Sequence, residues 1–179
     1  MPESFMPPEP ILYFAYGSNM ATARLRQRTP SCRPIGIATL PGHALRFHKR
    51  NADGSGKCDA LKTGPGDSVV GVLFTLDPAE LVGLDAAEGV GNGYTRDRVT
   101  VVDAAGQQHL AVTYRAMPGH IDDSLRPYGW YKAFVVSGAR EHGLPAEYVA
   151  RFIVAVEAID DPDSTRDRRE RARLGTSGQ

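Results

Sequence analysis

Residues 13–20 are Tyr13-Phe14-Ala15-Tyr16-Gly17-Ser18-Asn19-Met20, the most informative stretch of the chain. Its β-prone half runs directly into Gly-Ser-Asn, and a short amphipathic segment from Met20 to Arg28 follows. This order predicts a strand, a tight loop and a helix. Unpaired backbone N–H groups and the positive end of the helix dipole would converge at such a loop, which favours anion binding. Ser18 and Asn19 are also good N-caps, so a well-capped helix start without a ligand is the alternative interpretation.

Composition excludes several classes of protein. The 179 residues, 41% of them hydrophobic, suit one well-buried domain. Lys+Arg and Asp+Glu number 21 each, and this zero net charge argues against a nucleic-acid partner. No apolar run approaches the ~18 residues needed to cross a bilayer, so no membrane partner is expected. Residues 1–10 are rich in proline and lack the basic start of a secretory signal, which predicts a cytoplasmic location.

Short strands and a few helices without regular alternation predict an α+β fold with a largely antiparallel sheet. Residues 69–76 have the composition of a central strand, in which Gly71 predicts a bulge or a bend. A hairpin is predicted across residues 103–106. Helical spacing begins near Arg126 and ends at Gly143, and Pro145 begins a further helix.

The chain is predicted to hold one domain over residues 11–159, preceded by a flexible segment at 1–10. The apolar pattern is lost over residues 160–179, where acidic and basic side chains alternate. This composition predicts a solvated, flexible tail, with contact to an acidic partner as the alternative. The oligomeric state is left open, and a homodimer is compatible with the sequence.

The two cysteines, Cys32 and Cys58, stand apart from each other and from any CxxC pair. The sequence leaves open whether they form a disulfide, although lone thiols are more often small buried hydrophobes. His43 and His48 could be grouped with Cys58, but the three lack the ligand spacing of a zinc site. No metal site is therefore predicted.

Glu88 is the strongest candidate for a catalytic side chain. Asp77 and Pro78 begin a helix that is predicted to stop at Gly89, and Leu84 lies on the same helical face as Glu88. A carboxyl group therefore continues an apolar stripe at the helix end where the dipole disfavours negative charge. Such a position suits acid–base catalysis. The alternative is a solvent-exposed glutamate at a frayed helix end.

Three separated motifs resemble the γ-glutamylcyclotransferase family. They are residues 13–20, then Leu84-Asp85-Ala86-Ala87-Glu88-Gly89-Val90 with Gly93-Tyr94, and finally residues 131–139 followed by Glu141-His142-Gly143-Leu144-Pro145. Together they extend from about residue 11 to about residue 157 in the family's order. The resemblance implies a small, mainly antiparallel β-barrel flanked by helices, with no cofactor. It also implies Glu88 as the catalytic acid/base and a set of substrate-binding residues: Tyr13, Phe14, Ala15, Tyr16, Gly17, Ser18, Asn19, Tyr114 and Tyr131.

The resemblance implies an intramolecular reaction on a small molecule. The α-amine of a γ-glutamyl amino acid attacks its own γ-carbonyl, 5-oxoproline forms, and the free amino acid departs. Related alternatives are cyclotransfer on γ-glutamylamines and removal of a γ-glutamyl group from a biosynthetic intermediate. A non-catalytic binding module of the same fold is the alternative from another class. Ser18 as an acyl-enzyme nucleophile is disfavoured, because no GxSxG elbow accompanies it.

Overall fold

The computed structural model of the chain describes residues 6–175. Five strands close into a barrel in the order β1-β5-β2-β6-β7, and a separate two-stranded sheet holds β3 and β4. The strands are β1 (Ile11–Ala15), β2 (Arg33–Pro41), β3 (His43–Arg50), β4 (Gly56–Lys62), β5 (Ser68–Leu76), β6 (Tyr94–Asp103) and β7 (Gln108–Ala116). The helices are α1 (Thr22–Arg26), α2 (Leu81–Glu88), α3 (Gly129–Glu141), α4 (Ala146–Tyr148, continued by a π-helical turn Val149–Val154) and α5 (Ser164–Gly175).

The barrel is antiparallel at every junction except the last, where β1 runs parallel to β7 through Tyr13 and Val112. This arrangement confirms the predicted α+β class and the mainly antiparallel barrel with flanking helices. The barrel core is apolar and closely packed, with Phe14 and Phe74 fully buried. Within residues 6–175, no helix has the length and apolar character to span a bilayer.

The predicted hairpin forms between β6 and β7, with Val102 opposite Gln108. Gly71 has a different role from the predicted one, because it lies in regular register opposite Ala38. A Cβ at Gly71 would lie 2.4 Å from the carbonyl oxygen of Ala15 and 2.8 Å from the Phe14 ring. Glycine is therefore required there for the close approach of β1, and the irregularity of the barrel lies instead in β2, between Pro34 and Gly36.

The C-terminal stretch corrects the sequence-based prediction of a flexible tail. Residues 164–175 form α5, whose Glu170 is buried and lies 3.6 Å from Arg24. Ahead of the helix, Asp161 accepts hydrogen bonds from the Trp130 indole at 2.8 Å and from Arg166 at 2.5 and 2.6 Å. The Glu170–Arg24 ion pair and the Asp161–Trp130 hydrogen bond attach the stretch to the domain, although its sequence carries little apolar signal.

The structure also bears on the predictions made for the two ends of the chain and for the two cysteines. The first five residues of the predicted flexible segment 1–10, and residues 176–179 of the predicted tail, lie outside the described residues. Cys32 and Cys58 are both buried, and both thiols are free. The structure therefore answers the question of pairing that the sequence left open.

Candidate active site

The Gly-Ser-Asn corner lies where the chain leaves the barrel. β1 ends at Ala15, and a 3₁₀ turn over Ser18–Met20 leads into α1. A Cβ at Gly17 would lie 3.0 Å from the Cβ of Cys58 and 3.4 Å from the Tyr131 hydroxyl. Glycine thus lets the loop backbone lie directly against β4 and α3. The predicted strand, loop and helix are confirmed, with a shorter helix than the Met20–Arg28 segment.

Helix α2 brings Glu88 to this corner from the other side. Asp77 caps the preceding 3₁₀ turn by accepting a hydrogen bond from the Ala79 backbone N–H at 2.9 Å. Gly89 ends the helix in the left-handed region at φ 68°, as predicted. Leu84 is fully buried on the same helical face, and the Glu88 side chain is only 16% exposed. The alternative of a solvent-exposed glutamate is therefore wrong.

One oxygen of the Glu88 carboxylate is held by two donors. Its Oε1 accepts a hydrogen bond from Asn19 Nδ2 at 2.6 Å and another from Arg28 Nη1 at 2.9 Å. Arg28 Nη1 also donates to Asn19 Oδ1 at 3.0 Å, so the three side chains form a closed triangle. Within the described residues the second oxygen, Oε2, makes no hydrogen bond, which leaves it available to a ligand.

A small cavity opens beside Glu88 and is rich in tyrosine. Its volume is about 30 Å³, enough for one or two water-sized groups rather than a whole dipeptide. It is lined by Tyr13, Tyr16, Gly17, Ser18, Asn19, Cys58, Glu88, Tyr94, Tyr114 and Tyr131. Seven of these residues are among those predicted from sequence to bind substrate, and Glu88 is the predicted acid/base.

The tyrosine hydroxyls are fixed by the backbone and by neighbouring side chains. Tyr94 donates to the Cys58 carbonyl at 2.6 Å, and the Tyr131 hydroxyl accepts from the Cys58 N–H at 3.0 Å. Tyr16 donates to the Tyr114 carbonyl, and the Tyr114 hydroxyl donates to Asp85 at 2.7 Å. The cavity wall is therefore held together from β1, β4, β6, β7 and α3.

Burial keeps the tyrosine hydroxyls and the Cys58 thiol that line the cavity protonated. Desolvation raises the pKa of the Tyr16, Tyr94 and Tyr131 hydroxyls well above the usual value. It also raises the pKa of the Cys58 thiol to about 12. All these groups stay neutral near pH 7, so the tyrosines serve as hydrogen-bonding groups and Cys58 is not a thiolate nucleophile.

Two predicted substrate-binding residues lie away from the cavity. Phe14 is fully buried in the barrel core, and its carbonyl accepts a hydrogen bond from Thr113 at 2.8 Å. Ala15 is 1% exposed and pairs with Val72 of β5. Both residues support the strand that carries the loop, and their role in substrate binding stays a prediction.

Several residues of the site were not predicted from sequence. Arg28 belongs to the amphipathic segment after the loop, and nothing in its local pattern distinguishes it from a surface arginine. Cys58 and Lys57 enter from β4, whose position beside the loop depends on distant pairing. Tyr94 belongs to the second motif, but no role was predicted for it from the sequence. Arg96, two residues further on, does not line the cavity and pairs with Asp85.

A second, larger cavity of about 190 Å³ meets the first at Ser18, Glu88, Tyr94 and Tyr131. Basic side chains dominate its wall. Its remaining lining residues are Arg24, Arg28, Lys49, Asn51, Asp53, Lys57, Ala87, Trp130 and Arg166. Together, the two cavities place Glu88 between a narrow tyrosine-lined space and a wider basic one.

The Glu88 carboxylate thus lies between two cavities, at a Gly-Ser-Asn corner of a small closed barrel. Comparisons with known proteins show the family to which this fold and sequence belong. The model of the AIG2-like family matches residues 68–152. The chain is 36% identical to the gamma-glutamylcyclotransferase of Bos taurus over 145 residues, covering 78% of this chain and 76% of the bovine protein. It is 34% identical to the human gamma-glutamylcyclotransferase over 161 residues, covering 88% and 82% of the two chains.

A solved structure of a gamma-glutamyl cyclotransferase superposes with a TM-score of 0.81 at 29% identity. The superposition covers 92% of this chain and 99% of the other. The chain belongs to the γ-glutamylcyclotransferase family.

Proposed function

We propose that this protein is a γ-glutamylcyclotransferase that converts a γ-glutamyl amino acid into 5-oxoproline and the free amino acid. The observation that supports this most strongly is the state of Glu88. One of its oxygens is anchored by Asn19 and Arg28, and the other makes no hydrogen bond within residues 6–175. A fixed carboxylate with one free oxygen at a cavity wall is the arrangement that proton transfer to and from a ligand requires.

The chemistry needs one base that later acts as an acid. Glu88 Oε2 takes a proton from the substrate α-ammonium, and the freed amine attacks the γ-carbonyl carbon. The bond from that carbon to the leaving nitrogen then breaks as Glu88 gives its proton to this nitrogen. The attacking nitrogen loses its second proton through the same carboxylate, so the ring nitrogen of 5-oxoproline keeps one proton and the amino acid departs with a protonated amine. No water is consumed. Holding the substrate folded, with its α-amine against the γ-carbonyl beside Glu88, removes much of the entropic barrier to ring closure.

The loop and the tyrosines would stabilise the charge that develops on the γ-carbonyl oxygen. The backbone N–H groups of Gly17, Ser18 and Asn19 make no hydrogen bond within the described residues. They are therefore free to donate to an oxyanion or to a substrate carboxylate. Neutral hydroxyls from Tyr94 and Tyr131 border the same space and add polar contacts that need no charge.

Two related reactions differ from the proposed one only in the leaving group. Cyclotransfer on a γ-glutamylamine, or removal of a γ-glutamyl protecting group, would use Glu88 in the same way, and a non-catalytic module would bind without turnover. The cytoplasmic location and the homodimer remain predictions.

The test is direct measurement of product. Purified protein is incubated with γ-glutamyl dipeptides, γ-glutamylamines and glutathione in ¹⁸O-labelled water, and 5-oxoproline and glutamate are quantified by mass spectrometry. Cyclotransfer gives unlabelled 5-oxoproline, because no water enters the product. Labelled glutamate would instead indicate a hydrolase. No product from any substrate would leave the binding module as the better account.

A further inference from the structure

The basic cavity contains one cation that has no acidic partner. Four of its five cations face a carboxylate: Arg24 faces Glu170, Arg28 faces Glu88, Lys57 faces Asp53 and Arg166 faces Asp161. Lys49 is the exception, since no carboxylate within residues 6–175 lies within 4.0 Å of its ammonium. Its contacts are with Asn51 Oδ1 at 3.3 Å and the face of the Tyr94 ring at 4.5 Å.

Lys49 is nevertheless buried and held in place. The residue is 5% exposed. A Cβ at Gly93 would lie 2.7 Å from Lys49 Cε and 2.9 Å from its Nζ. The glycine therefore makes room for this ammonium beside the Tyr94 ring, where Lys49 lines both the basic cavity and a neighbouring cleft that also reaches Glu88. A long, flexible side chain would otherwise extend into water.

The position of Lys49 opposite a second lysine in the β3–β4 sheet lowers the stability of the fold. Lys49 and Lys57 are directly opposite each other in the β3–β4 pair, and both are buried. Like charges in directly opposed positions destabilise a sheet, and burial of an unpaired cation adds to the cost. Desolvation accordingly lowers the pKa of both lysines. Asp53 forms an ion pair with Lys57 and not with Lys49, so Glu88 and Asp53, both more than 4.0 Å away, offset the charge of Lys49 only in part.

From this geometry we infer that Lys49 is the carboxylate-binding residue of a leaving-group subsite in the basic cavity. The inference rests on the proposed function. It names the preferred substrates as γ-glutamyl compounds whose departing amine carries a carboxylate, and it disfavours γ-glutamylamines that lack one. Neither Lys49 nor this cavity is needed to explain the acid–base step itself.

The division of the substrate follows from the sizes of the two cavities. The tyrosine-lined cavity, at about 30 Å³, has room for the reacting atoms beside Glu88. The basic cavity, at about 190 Å³, has room for a small amino acid on the other side of the same carboxylate. A scissile bond at their junction places the departing amine next to Glu88 and its carboxylate among the cations. Trp130 and Tyr131, which lie over Lys57 at 4.3 and 4.1 Å, complete an apolar wall for the side chain.

The test compares two substrates that differ only in the carboxylate: γ-glutamyl-L-alanine and γ-glutamylethylamine. The full-length protein is expected to prefer the dipeptide in kcat/KM by about tenfold or more, the usual range for a hydrogen bond to a charged group. Lys49→Met should reduce this preference by about tenfold, mainly through KM for the dipeptide. Lys49→Arg keeps the charge and should retain most of the preference. Lys62→Met, an exposed lysine on β4, is the matched control and should change nothing.

Three outcomes would overturn the inference. An equal loss on both substrates in Lys49→Met would mean that Lys49 binds the α-carboxylate common to every γ-glutamyl compound. A wild-type protein that turns over both substrates equally well would have no such subsite. Retention of the preference in Lys49→Met would assign it to other residues. Absence of 5-oxoproline from both substrates is a different failure, because it would refute the proposed function itself.

Discussion

Replacing Glu88 with glutamine tests the acid–base assignment with little change in shape. The glutamine amide oxygen can accept the hydrogen bonds that Asn19 and Arg28 now donate to Oε1 at 2.6 and 2.9 Å. The packing of α2 against the barrel, through Leu84, is untouched. What is lost is the proton-accepting capacity of the side chain and the charge of its ion pair with Arg28.

The two losses differ greatly in size. The side chains of the Arg28–Glu88 pair are 25% and 16% exposed, so its removal should lower the free energy of unfolding by only about 1 kcal/mol. Loss of general acid–base catalysis should lower kcat by about 10²–10⁴, which corresponds to roughly 3–5 kcal/mol in the activation barrier. Activity should therefore fall far more than stability.

The assay measures 5-oxoproline formation from the best dipeptide, with urea unfolding of the same preparations. Glu147→Gln is the matched control, since Glu147 is exposed on α4 and makes no hydrogen bond or ion pair within the described residues. It should keep wild-type kcat. If Glu88→Gln is folded and its kcat stays within tenfold of wild type, Glu88 is not the acid/base and the mechanism proposed above is wrong.

Three further substitutions test the support of the site. Asn19→Ala removes one of the two donors that orient Glu88, so kcat should fall about tenfold. The free energy of unfolding, measured with urea, should fall by about 1 kcal/mol. An unchanged kcat would mean that Arg28 alone is enough to orient Glu88. Gly138→Ala would place a Cβ 2.4 Å from the backbone nitrogen of Ala21. The free energy of unfolding should therefore fall by about 1–3 kcal/mol. An unaltered midpoint of urea unfolding would contradict this close contact. Burial lowers the pKa of Lys57 to about 8, so the unfolded state binds more protons from about pH 8 to about pH 10.5. Lys57 should therefore make stability rise with pH across this window, by roughly 3 kcal/mol. Lys57→Met should remove this contribution and leave only the rise that comes from Lys49, whose pKa is also lowered; an identical pH profile in the variant would refute the assignment.

Local signals in the sequence predicted the parts of the site that depend on short-range structure. The turn after β1 needs Gly17, and the end of α2 needs Gly89, so both boundaries are visible in the sequence. The position of Glu88 on the buried face of α2 follows from helical spacing alone. Closure of the barrel does not follow from the pattern, since the β1–β7 contact joins residues about a hundred positions apart. It was predicted only through the family resemblance.

The differences between prediction and structure also have physical causes. Phe14 lies inside the motif that resembles the family, but successive side chains of a strand alternate between its two faces, so Phe14 is buried in the barrel core while Tyr13 lines the cavity. The C-terminal stretch was predicted to be flexible because its apolar content is low. Its attachment instead depends on the buried contacts of Asp161 and Glu170, which charge composition cannot reveal.

Strand β4 links the two cavities and suggests how catalysis and specificity are separated in this fold. The backbone of Cys58 holds the Tyr94 and Tyr131 hydroxyls of the tyrosine-lined cavity. One residue earlier, Lys57 projects into the basic cavity opposite Lys49. Because β3 and β4 form a sheet separate from the barrel, side chains facing the basic cavity can change without altering the barrel strands or α2, which carry the loop and Glu88. In this chain, recognition of the leaving group should therefore depend on the side chains of the β3–β4 sheet, while the proposed ring-closing chemistry depends on the barrel and α2.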